Sequence, residues 1–474
     1  MLTPRRPPED DKFHEECALF GIYGTNDAAA HTALGLHALQ HRGQEASGIV
    51  TFDGGHFYNH RAAGLVGDIF GDPRVIATLQ GYSAIGHNRY ATTGGSSDRN
   101  IQPIFADFDF GGLALAHNGN LTNAYLLRKE LVRMGCLFQS TTDTEVINHL
   151  IARSNYSTVV DRVIDALGRV KGAYSLLMLT NEALLGVRDP MGVRPLCIGR
   201  LDDAWILTSE SCALDILGAR FVRDVEPGEM VIVGPEGMTR ERYAPVRDHA
   251  HCVFEHVYFS RPDSIVFGRP VQHSREMLGR LLAIESPVDA DVVVPVPDSG
   301  VAAAIGYAAE AGIPFRQALI RNHYVGRTFI EPSQAIRDFG VKLKLNPVRH
   351  LLEGKRVILV DDSLVRGTTS RKIVRMVRGA GAREVHLRIS CPPTVSPCFY
   401  GVDTPNLAEL IAANNSVEEI RRFVEADSLS YLSLRALREA VADTKQDFCY
   451  ACYTGDYPTE LVNIEQLVSS RRKG

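Results

Sequence analysis

Residues 357–370 read VILVDDSLVRGTTS, and this stretch decides the fold predicted for the 474-residue chain. The run from Val357 to Val360 is apolar, largely β-branched and flanked by charge. This pattern is typical of a strand buried on both faces of a parallel sheet. Asp361 and Asp362 therefore fall at the carboxyl end of the strand, where ligands bind in open α/β sheets. Adjacent carboxylates there can accept hydrogen bonds from a ribose diol or hold Mg²⁺ through oxygen.

The remainder of the stretch predicts a phosphate-binding turn. The apolar spacing of Ile373, Val374 and Val377 predicts a helix whose positive end lies at this turn. Small residues, hydroxyl groups and backbone N–H groups at such a position can surround an anion. We therefore expect a phosphate to be bound by Arg366, Gly367, Thr368 and Thr369.

A second strand, turn and helix precede this one. Residues 291–297, DVVVPVP, predict another buried strand, and the alanine-rich run 301–311 predicts a helix. Between them lie Asp298, Ser299 and Gly300, whose N–H groups can face one anion. Taken alone, such a triplet is more often a helix cap.

Together these segments resemble the type I phosphoribosyltransferases, which bind 5-phosphoribosyl-1-pyrophosphate (PRPP). The resemblance implies that residues 298–300 bind the pyrophosphate and that Ser299 joins Asp361 and Asp362 around Mg²⁺. Residues 321–330, RNHYVGRTFI, combine cations with aromatic side chains. From their chemistry alone they are either a solvated loop or a lid, and the resemblance favours a lid that excludes water. In that lid, Arg321 and Arg327 would meet the departing pyrophosphate.

The front half contains a candidate nucleophile, Cys17. The polar residues 1–16 lack the apolar segment of a signal peptide, and we interpret them as a removable propeptide. Cleavage after Glu16 would give Cys17 an α-amine with a pKa of about 7.7 to 8.0, able to take the proton from its own thiol. The alternative is a small buried cysteine behind a disordered tail.

Four further motifs follow Cys17, in the order that class II glutamine amidotransferases use. They are residues 41–48 (HRGQEASG), 87–92 (HNRYAT), 117–120 (HNGN) and 142–145 (TDTE). The resemblance implies that Arg89 binds the glutamine α-carboxylate and Asp143 the α-amine, while Asn118 and the N–H of Gly119 form the oxyanion hole. Without the resemblance, Asn118-Gly119 would predict a hairpin turn, and the two charged residues would lie on the surface.

The cysteines suggest a third site. The chain has 9 cysteines, without a secretory signal or a disulfide-like framework, so we expect a reducing cytoplasm. Cys449 and Cys452 form a C-x-x-C motif that we do not expect at the start of a helix in a small βαβ unit, so metal binding is favoured over a redox role. Spacing alone does not separate zinc from an iron–sulfur cluster. Cys391 is a rival ligand, and we expect the core to contain Cys136, Cys197 and Cys212.

The whole chain resembles the cluster-bearing, propeptide-processed branch of the amidophosphoribosyltransferase family. The resemblance implies a 4Fe–4S cluster on Cys252, Cys398, Cys449 and Cys452. It also implies an α/β and α+β architecture in two domains after the propeptide 1–16: an N-terminal-nucleophile αββα glutaminase over residues 17–240, and a parallel-sheet phosphoribosyltransferase with a helical tail over residues 241–474.

In that family, ammonia from glutamine passes through a closed passage to PRPP and gives 5-phosphoribosylamine, the first committed step of purine synthesis. The resemblance further implies a homotetramer and feedback inhibition by purine nucleotides. A formal net charge of −5 argues against nonspecific binding of nucleic acid. No apolar run is long enough to predict a membrane span.

Three other functions account for less of the sequence. A salvage phosphoribosyltransferase would leave Cys17 and Arg89 without a role, and a different class II amidotransferase would not need the pair Asp361-Asp362. A non-catalytic regulator that senses PRPP would be expected to lack the nucleophile and the lid.

Overall fold

A computed structural model describes residues 17–90, 98–245, 247–322, 345–443, 445 and 447–461. The first half contains two antiparallel sheets. The first sheet contains, in spatial order, β11 (Arg220–Asp224), β9 (Cys197–Leu201), β10 (Ala204–Thr208), β1 (Ala18–Tyr23), β4 (Ser83–Arg89), β2 (Ala46–Phe52) and β3 (Phe57–Ala63). The second contains β13 (Gly237–Arg242), β12 (Glu229–Gly234), β8 (Leu184–Arg188), β7 (Gly172–Thr180), β6 (Gly111–Leu121) and β5 (Ile104–Phe108).

The two sheets pack face to face around one apolar core, to which Leu19, Ile85 and Leu207 contribute from the first sheet and Leu177 from the second. Helices cover both outer faces, so strands such as β1 are buried along their whole length. The first sheet is covered by Ala28–Ala38, Val66–Phe70, Pro73–Thr78 and Cys212–Asp215, and the second by Ala124–Arg133, Thr144–Arg153 and Val159–Leu167. This arrangement confirms the predicted αββα glutaminase fold.

The second half is built on a parallel sheet. Its strands are β17 (Val292–Pro295), β20 (Arg356–Asp361), β21 (Glu384–Ile389) and β22 (Ser428–Tyr431), in that spatial order. The surrounding helices are Val271–Glu285, Val301–Ala311, Thr368–Gly379, Val417–Val424 and Leu434–Ala440. The strands and helices predicted around residues 291–311 and 357–377 are therefore confirmed.

The helical tail that we predicted also contains a strand. β22 pairs with β21 and completes the parallel sheet, so the prediction was wrong for these residues. Their sequence, Ser-Leu-Ser-Tyr, is too short and has too few apolar side chains to predict a strand. The predicted capping box at Ser416 is present and begins the helix Val417–Val424.

The remaining elements are short. Two-residue strands β14 (His251–Cys252) and β23 (Phe448–Cys449) pair in parallel and attach the tail to the body of the molecule. The others are β15 (Ile265–Val266) with β16 (Arg269–Pro270), β18 (Leu319–Arg321) with β19 (Leu345–Pro347), the helices Arg349–Leu352, Ile411–Asn414 and Ala451–Thr454, the π-helix Glu255–Phe259, and the 3-10 turns Gln40–Arg42, Asp98–Asn100 and Leu407–Glu409. Across the described ranges, we find no helix long and apolar enough to cross a membrane.

Candidate active sites

Cys17 directly precedes β1, and β4 places Arg89 beside it because these two strands are neighbours. The Cys17 thiol donates a weak hydrogen bond to the carbonyl of Tyr90, with Sγ and O 3.7 Å apart. Burial raises the pKa of this thiol, the Tyr90 contact and the charge of Arg89 oppose the rise, and the charge of Asp143 adds to it. The structure therefore brings three of the predicted glutaminase residues together.

The predicted oxyanion residues lie within β6 rather than in a hairpin turn, since Asn118 and Gly119 are opposite Ser175 and Tyr174 of β7. Asn118 is fully buried, and no group in the described part of the chain forms a hydrogen bond with its side-chain amide. An unpaired buried amide costs about 1–3 kcal/mol, which a ligand can recover. Gly119 has φ +139°, and a Cβ there would lie 2.1 Å from the carbonyl oxygen of Ala173, so the position requires glycine.

Asp143 contacts β6 on both sides of Asn118 and Gly119. Its Oδ2 accepts a hydrogen bond of 2.8 Å from the N–H of Leu121, and its Oδ1 lies 3.6 Å from Nδ1 of His117. Burial would raise the pKa of the carboxyl, but the neighbouring His117 and the backbone donors hold it below its ordinary value. A charged, fixed Asp143 can therefore face a cationic amine.

A buried charge network links Cys17 to the second half of the chain. Nε of Arg42 donates to the carbonyl of Cys17 at 3.3 Å, while its Nη atoms donate to Glu210 at 2.6 Å and to Glu255 at 2.9 and 2.7 Å. A second guanidinium, that of Arg194, lies 3.4 Å from Glu255. All four charged side chains are at most 1% exposed.

Sequence reasoning did not find this network. In the sequence, Glu210 lies 168 residues and Glu255 lies 213 residues from Arg42, too far for any spacing rule. The one signal was a charged residue in an apolar run, Glu255 in VFEHVYF at residues 253–259. Arg275, also missed, is buried and donates to the carbonyls of His256 and Ser260 at 3.0 and 2.7 Å. Burial lowers the pKa of Arg275 to about 10, although the negative charge of Asp362 acts to raise it.

In the second half, the turns after β17 and β20 meet at the carboxyl ends of these parallel strands. The hydroxyl of Ser299 donates to Oδ1 of Asp362 at 2.5 Å, and the N–H of Asp362 donates to Asp361 at 3.0 Å. Both carboxylates are at most 2% exposed. A Cβ on Gly300 would lie 2.4 Å from the carbonyl oxygen of Val360, so this glycine permits the close approach.

Two predicted phosphate-binding arginines are ion-paired within the protein. Arg321 pairs with Asp298, and Arg366 donates to Glu409 at 3.0 and 2.7 Å. Gly367 has φ +78° and immediately precedes the helix Thr368–Gly379, which places Thr368 and Thr369 in its first turn, as predicted. The rest of the proposed lid, 323–330, lies outside the described residues, and Arg327 with it.

The cysteines predicted as ligands border one largely apolar cavity. Its lining consists of Val193, Cys252, Phe254, Cys398, Tyr400, Val402, Thr404, Cys449, Ala451 and Cys452. Burial raises the pKa of Cys252 and of Cys449 to about 12. Within the described ranges, no three His, Cys, Asp or Glu side chains converge closely enough to hold a single metal ion.

The remaining cysteines lie elsewhere. The rival ligand Cys391 is buried and donates to the carbonyl of Pro392 at 3.3 Å. Cys197 and Cys212 belong to the core on the outer face of the first sheet, as expected, whereas Cys136 is only partly buried and packs against the core on the outer face of the second sheet. Only the second half of the C-x-x-C motif is helical, in the single turn Ala451–Thr454, and no strand follows this turn in the described part of the chain, so these residues do not form a βαβ unit.

The fold and the two sites define a glutamine amidotransferase joined to a phosphoribosyltransferase. Residues 87–215 match the family described as "Glutamine amidotransferase domain" and residues 273–395 the family "Phosphoribosyl transferase domain". The chain is 54% identical to the amidophosphoribosyltransferase of Rhizobium etli over 96% of its own length and 94% of that protein, and 51% identical to that of Bacillus subtilis over 94% and 95%.

The solved structures agree. That of glutamine PRPP amidotransferase from B. subtilis, complexed with ADP and GMP, superposes with a TM-score of 0.90 at 49% identity, covering 94% of this chain and 98% of the other. The chain therefore belongs to the amidophosphoribosyltransferase family. It is a transferase of purine biosynthesis that aminates PRPP with the nitrogen of glutamine, giving 5-phosphoribosylamine, glutamate and pyrophosphate.

Proposed function

We propose that Cys17, freed from residues 1–16, performs the glutaminase half-reaction. Its sulfur attacks the glutamine carboxamide carbon, and the amide of Asn118 and the N–H of Gly119 stabilise the oxyanion. The carbon–nitrogen bond then breaks, and water hydrolyses the thioester to glutamate. The buried amide of Asn118, for which the described residues offer no partner, carries this proposal because its N–H groups can donate to an oxyanion.

The buried thiol needs a base as it attacks. Burial raises the pKa of Cys17, so the resting nucleophile is protonated. An α-amine on the same residue, with a pKa of about 7.7 to 8.0, would accept that proton and pass it to the departing ammonia. Arg89 and Asp143 would hold the two charged ends of glutamine, a carboxylate against a guanidinium and an ammonium against a carboxylate.

The second half-reaction takes place where β17 and β20 end. Asp361 and Asp362 would accept hydrogen bonds from the ribose hydroxyls, while the N–H groups of residues 298–300 and 366–369 would hold the pyrophosphate and the 5-phosphate. Arg321 and Arg366 would then exchange their carboxylate partners for phosphate oxygens. Ammonia forms a bond to C1 of the ribose as the bond from C1 to pyrophosphate breaks, a step that requires positioning more than a base.

Mg²⁺ suits this site because it usually binds through one or two carboxylates together with substrate phosphates. Asp361, Asp362 and Ser299 would hold it, and its charge would neutralise the leaving pyrophosphate. The transferred ammonia must stay unprotonated, which favours a closed passage between the two sites, completed by the predicted lid over 321–330 with Arg327.

The four-cysteine cavity suits a group larger than one ion. Zinc draws four sulfurs to about 2.3 Å from one point, whereas here Cys252, Cys398, Cys449 and Cys452 surround a cavity without converging on one. Four thiolates around a wider apolar space fit a 4Fe–4S cluster. Such a cluster would join the tail to the body, since these cysteines come from three separate segments.

Regulation, assembly and location are further proposals. The B. subtilis relative was solved with ADP and GMP, which supports purine nucleotides as feedback inhibitors of this chain. The family resemblance supports a homotetramer. The free cysteines support a cytoplasmic location. The domain boundary near residue 240 stays a prediction, and β13 ends close to it, at Arg242.

The test compares pyrophosphate release with glutamine and with ammonia. We expect Cys17→Ser to abolish the glutamine-dependent rate and to keep the ammonia-dependent rate. Asp362→Asn should lose both rates while glutamine is still hydrolysed, and Cys136→Ser, which changes a half-buried cysteine outside both proposed sites, should lose neither. Glutamine-dependent release by Cys17→Ser would contradict the proposal. N-terminal sequencing of the wild-type protein used in these assays would show whether Cys17 is the first residue.

A further inference from the structure

We propose that a loop of the phosphoribosyltransferase half positions the oxyanion hole of the glutaminase half. This loop, called here the bracing loop, comprises Cys398, Phe399, Tyr400 and Gly401. Asn120, two residues after the proposed oxyanion residue Asn118, is the positioning residue on the other side. The inference rests on the proposed roles of Asn118 and Gly119.

The first contact is a hydrogen bond between the two halves. Nδ2 of Asn120 donates to the carbonyl oxygen of Phe399 at 2.9 Å, across 279 residues of sequence. Asn120 lies on β6 and is buried, so this bond is shielded from water. Removal of the Asn120 amide would delete a buried hydrogen bond between the two halves, which costs more than loss of an exposed one.

The second contact is between two backbones. A Cβ built on Gly401 would lie 3.0 Å from Cα of Gly119 and 3.2 Å from its carbonyl carbon. On its other side, Gly119 is closed in by the carbonyl of Ala173 on β7. Gly119, whose N–H belongs to the proposed oxyanion hole, is therefore held between its own sheet and the bracing loop.

The bracing loop is itself fixed. The N–H of Cys398 donates to the hydroxyl of Thr404 at 2.8 Å, and the N–H of Tyr400 to the Cys398 sulfur at 3.3 Å. Nε of Arg194, from the glutaminase half, donates to the carbonyl of Tyr400 at 3.2 Å. A shift of this loop would move Gly119, and a misplacement of about 1 Å in a catalytic group can cost on the order of a hundredfold in rate.

Removal of the bond tests the inference. We expect Asn120→Ala to lower the glutamine-dependent kcat at least tenfold, with little change in the KM for glutamine and an unchanged ammonia-dependent rate. A purely structural defect would lower both rates together. The matched control is Asn123→Ala, which removes an amide-to-carbonyl bond of the same 2.9 Å length, to Arg169, away from the loop. It should change neither rate.

Two further variants separate the possible failures. Gly401→Ala should reproduce the same loss in kcat, because its methyl group would press on Gly119. If Asn118→Ala lowers the glutamine-dependent kcat but both Asn120→Ala and Gly401→Ala retain it, the bracing role is wrong and the oxyanion assignment stands. If Asn118→Ala has no effect, the proposed oxyanion hole itself fails, and the inference fails with it.

Discussion

Substitution of Glu255 by glutamine should destabilise the protein strongly, because it removes one charge from a buried network. Glu255 accepts hydrogen bonds from Arg42 at 2.9 and 2.7 Å and from the hydroxyl of Ser260 at 2.5 Å. With Arg194 and Glu210, the buried network holds two positive and two negative side chains. Glu255→Gln keeps the shape but leaves one uncompensated positive charge, which costs about 3–5 kcal/mol.

Urea unfolding measures this cost. We expect the midpoint of Glu255→Gln to fall far below that of the wild type, and Arg42→Gln with Glu255→Gln to cost less than the sum of the two single changes. The matched control is Glu130→Gln, which breaks an exposed pair with Arg169 of 2.7 Å and should cost less than about 1 kcal/mol. Equal shifts for Glu255→Gln and Glu130→Gln would refute the reasoning.

The same network sets a dependence on pH. Burial alone would raise the pKa of the Glu255 carboxyl, but Arg42 and Arg194 hold it below its ordinary value of 4.5. A carboxyl whose pKa is lowered in the folded state stabilises that state above its ordinary pKa and loses this contribution as the pH falls. The stability of the wild type should therefore drop below about pH 4.5 more steeply than that of Glu255→Gln.

Four other changes test separate parts of the molecule. Asn118→Ala should lower the glutamine-dependent kcat by about 10²- to 10³-fold, measured against an unchanged ammonia-dependent rate; a smaller loss would argue against the oxyanion role. Gly300→Ala, whose methyl group would lie 2.4 Å from a carbonyl oxygen, should abolish turnover of PRPP with either nitrogen source while glutamine is still hydrolysed. Burial lowers the pKa of His87 to about 3. As the pH falls below about 6.5, this histidine takes up a proton in the unfolded chain but not in the folded protein, so the free energy of unfolding declines. His87→Gln should reduce the difference between the free energies of unfolding measured with urea at pH 7.5 and at pH 5. Cys398→Ser should reduce the iron content and visible absorption of protein purified without oxygen, whereas an unaltered spectrum would exclude this sulfur as a ligand.

Local patterns predicted much of the fold. Continuous apolar runs predicted β17 and β20, because a strand that is covered on both faces consists almost entirely of apolar residues. β22 was missed, since four residues are too few to show the alternation of polar and apolar side chains that predicts a half-buried strand. The one-turn helix at Cys452 was missed as well, because four residues are too few to show a helical period.

The candidate sites were predictable to the extent that their residues sit in short motifs. The structure placed Arg89 and Asp143 beside Cys17, and it placed the hydroxyl of Ser299 on Asp362, while the roles of these residues stay predictions. The contacts that join the two halves were not predictable. A spacing rule cannot pair residues 213 or 279 positions apart, and the sequence around a buried arginine or around an asparagine at the end of a strand does not identify its partner.

The contact between Arg42 and Glu255 has a consequence for the newly made chain. Ribosomes add roughly 5–20 residues per second, so the glutamate that holds Arg42 is polymerised roughly 10–40 seconds later, 213 residues downstream. Throughout that interval Arg42 lacks Glu255 to fix it against the carbonyl of Cys17. A chain that ends before Glu255 should thus be a poor glutaminase, so glutamine is spared at least until synthesis of the second half has begun.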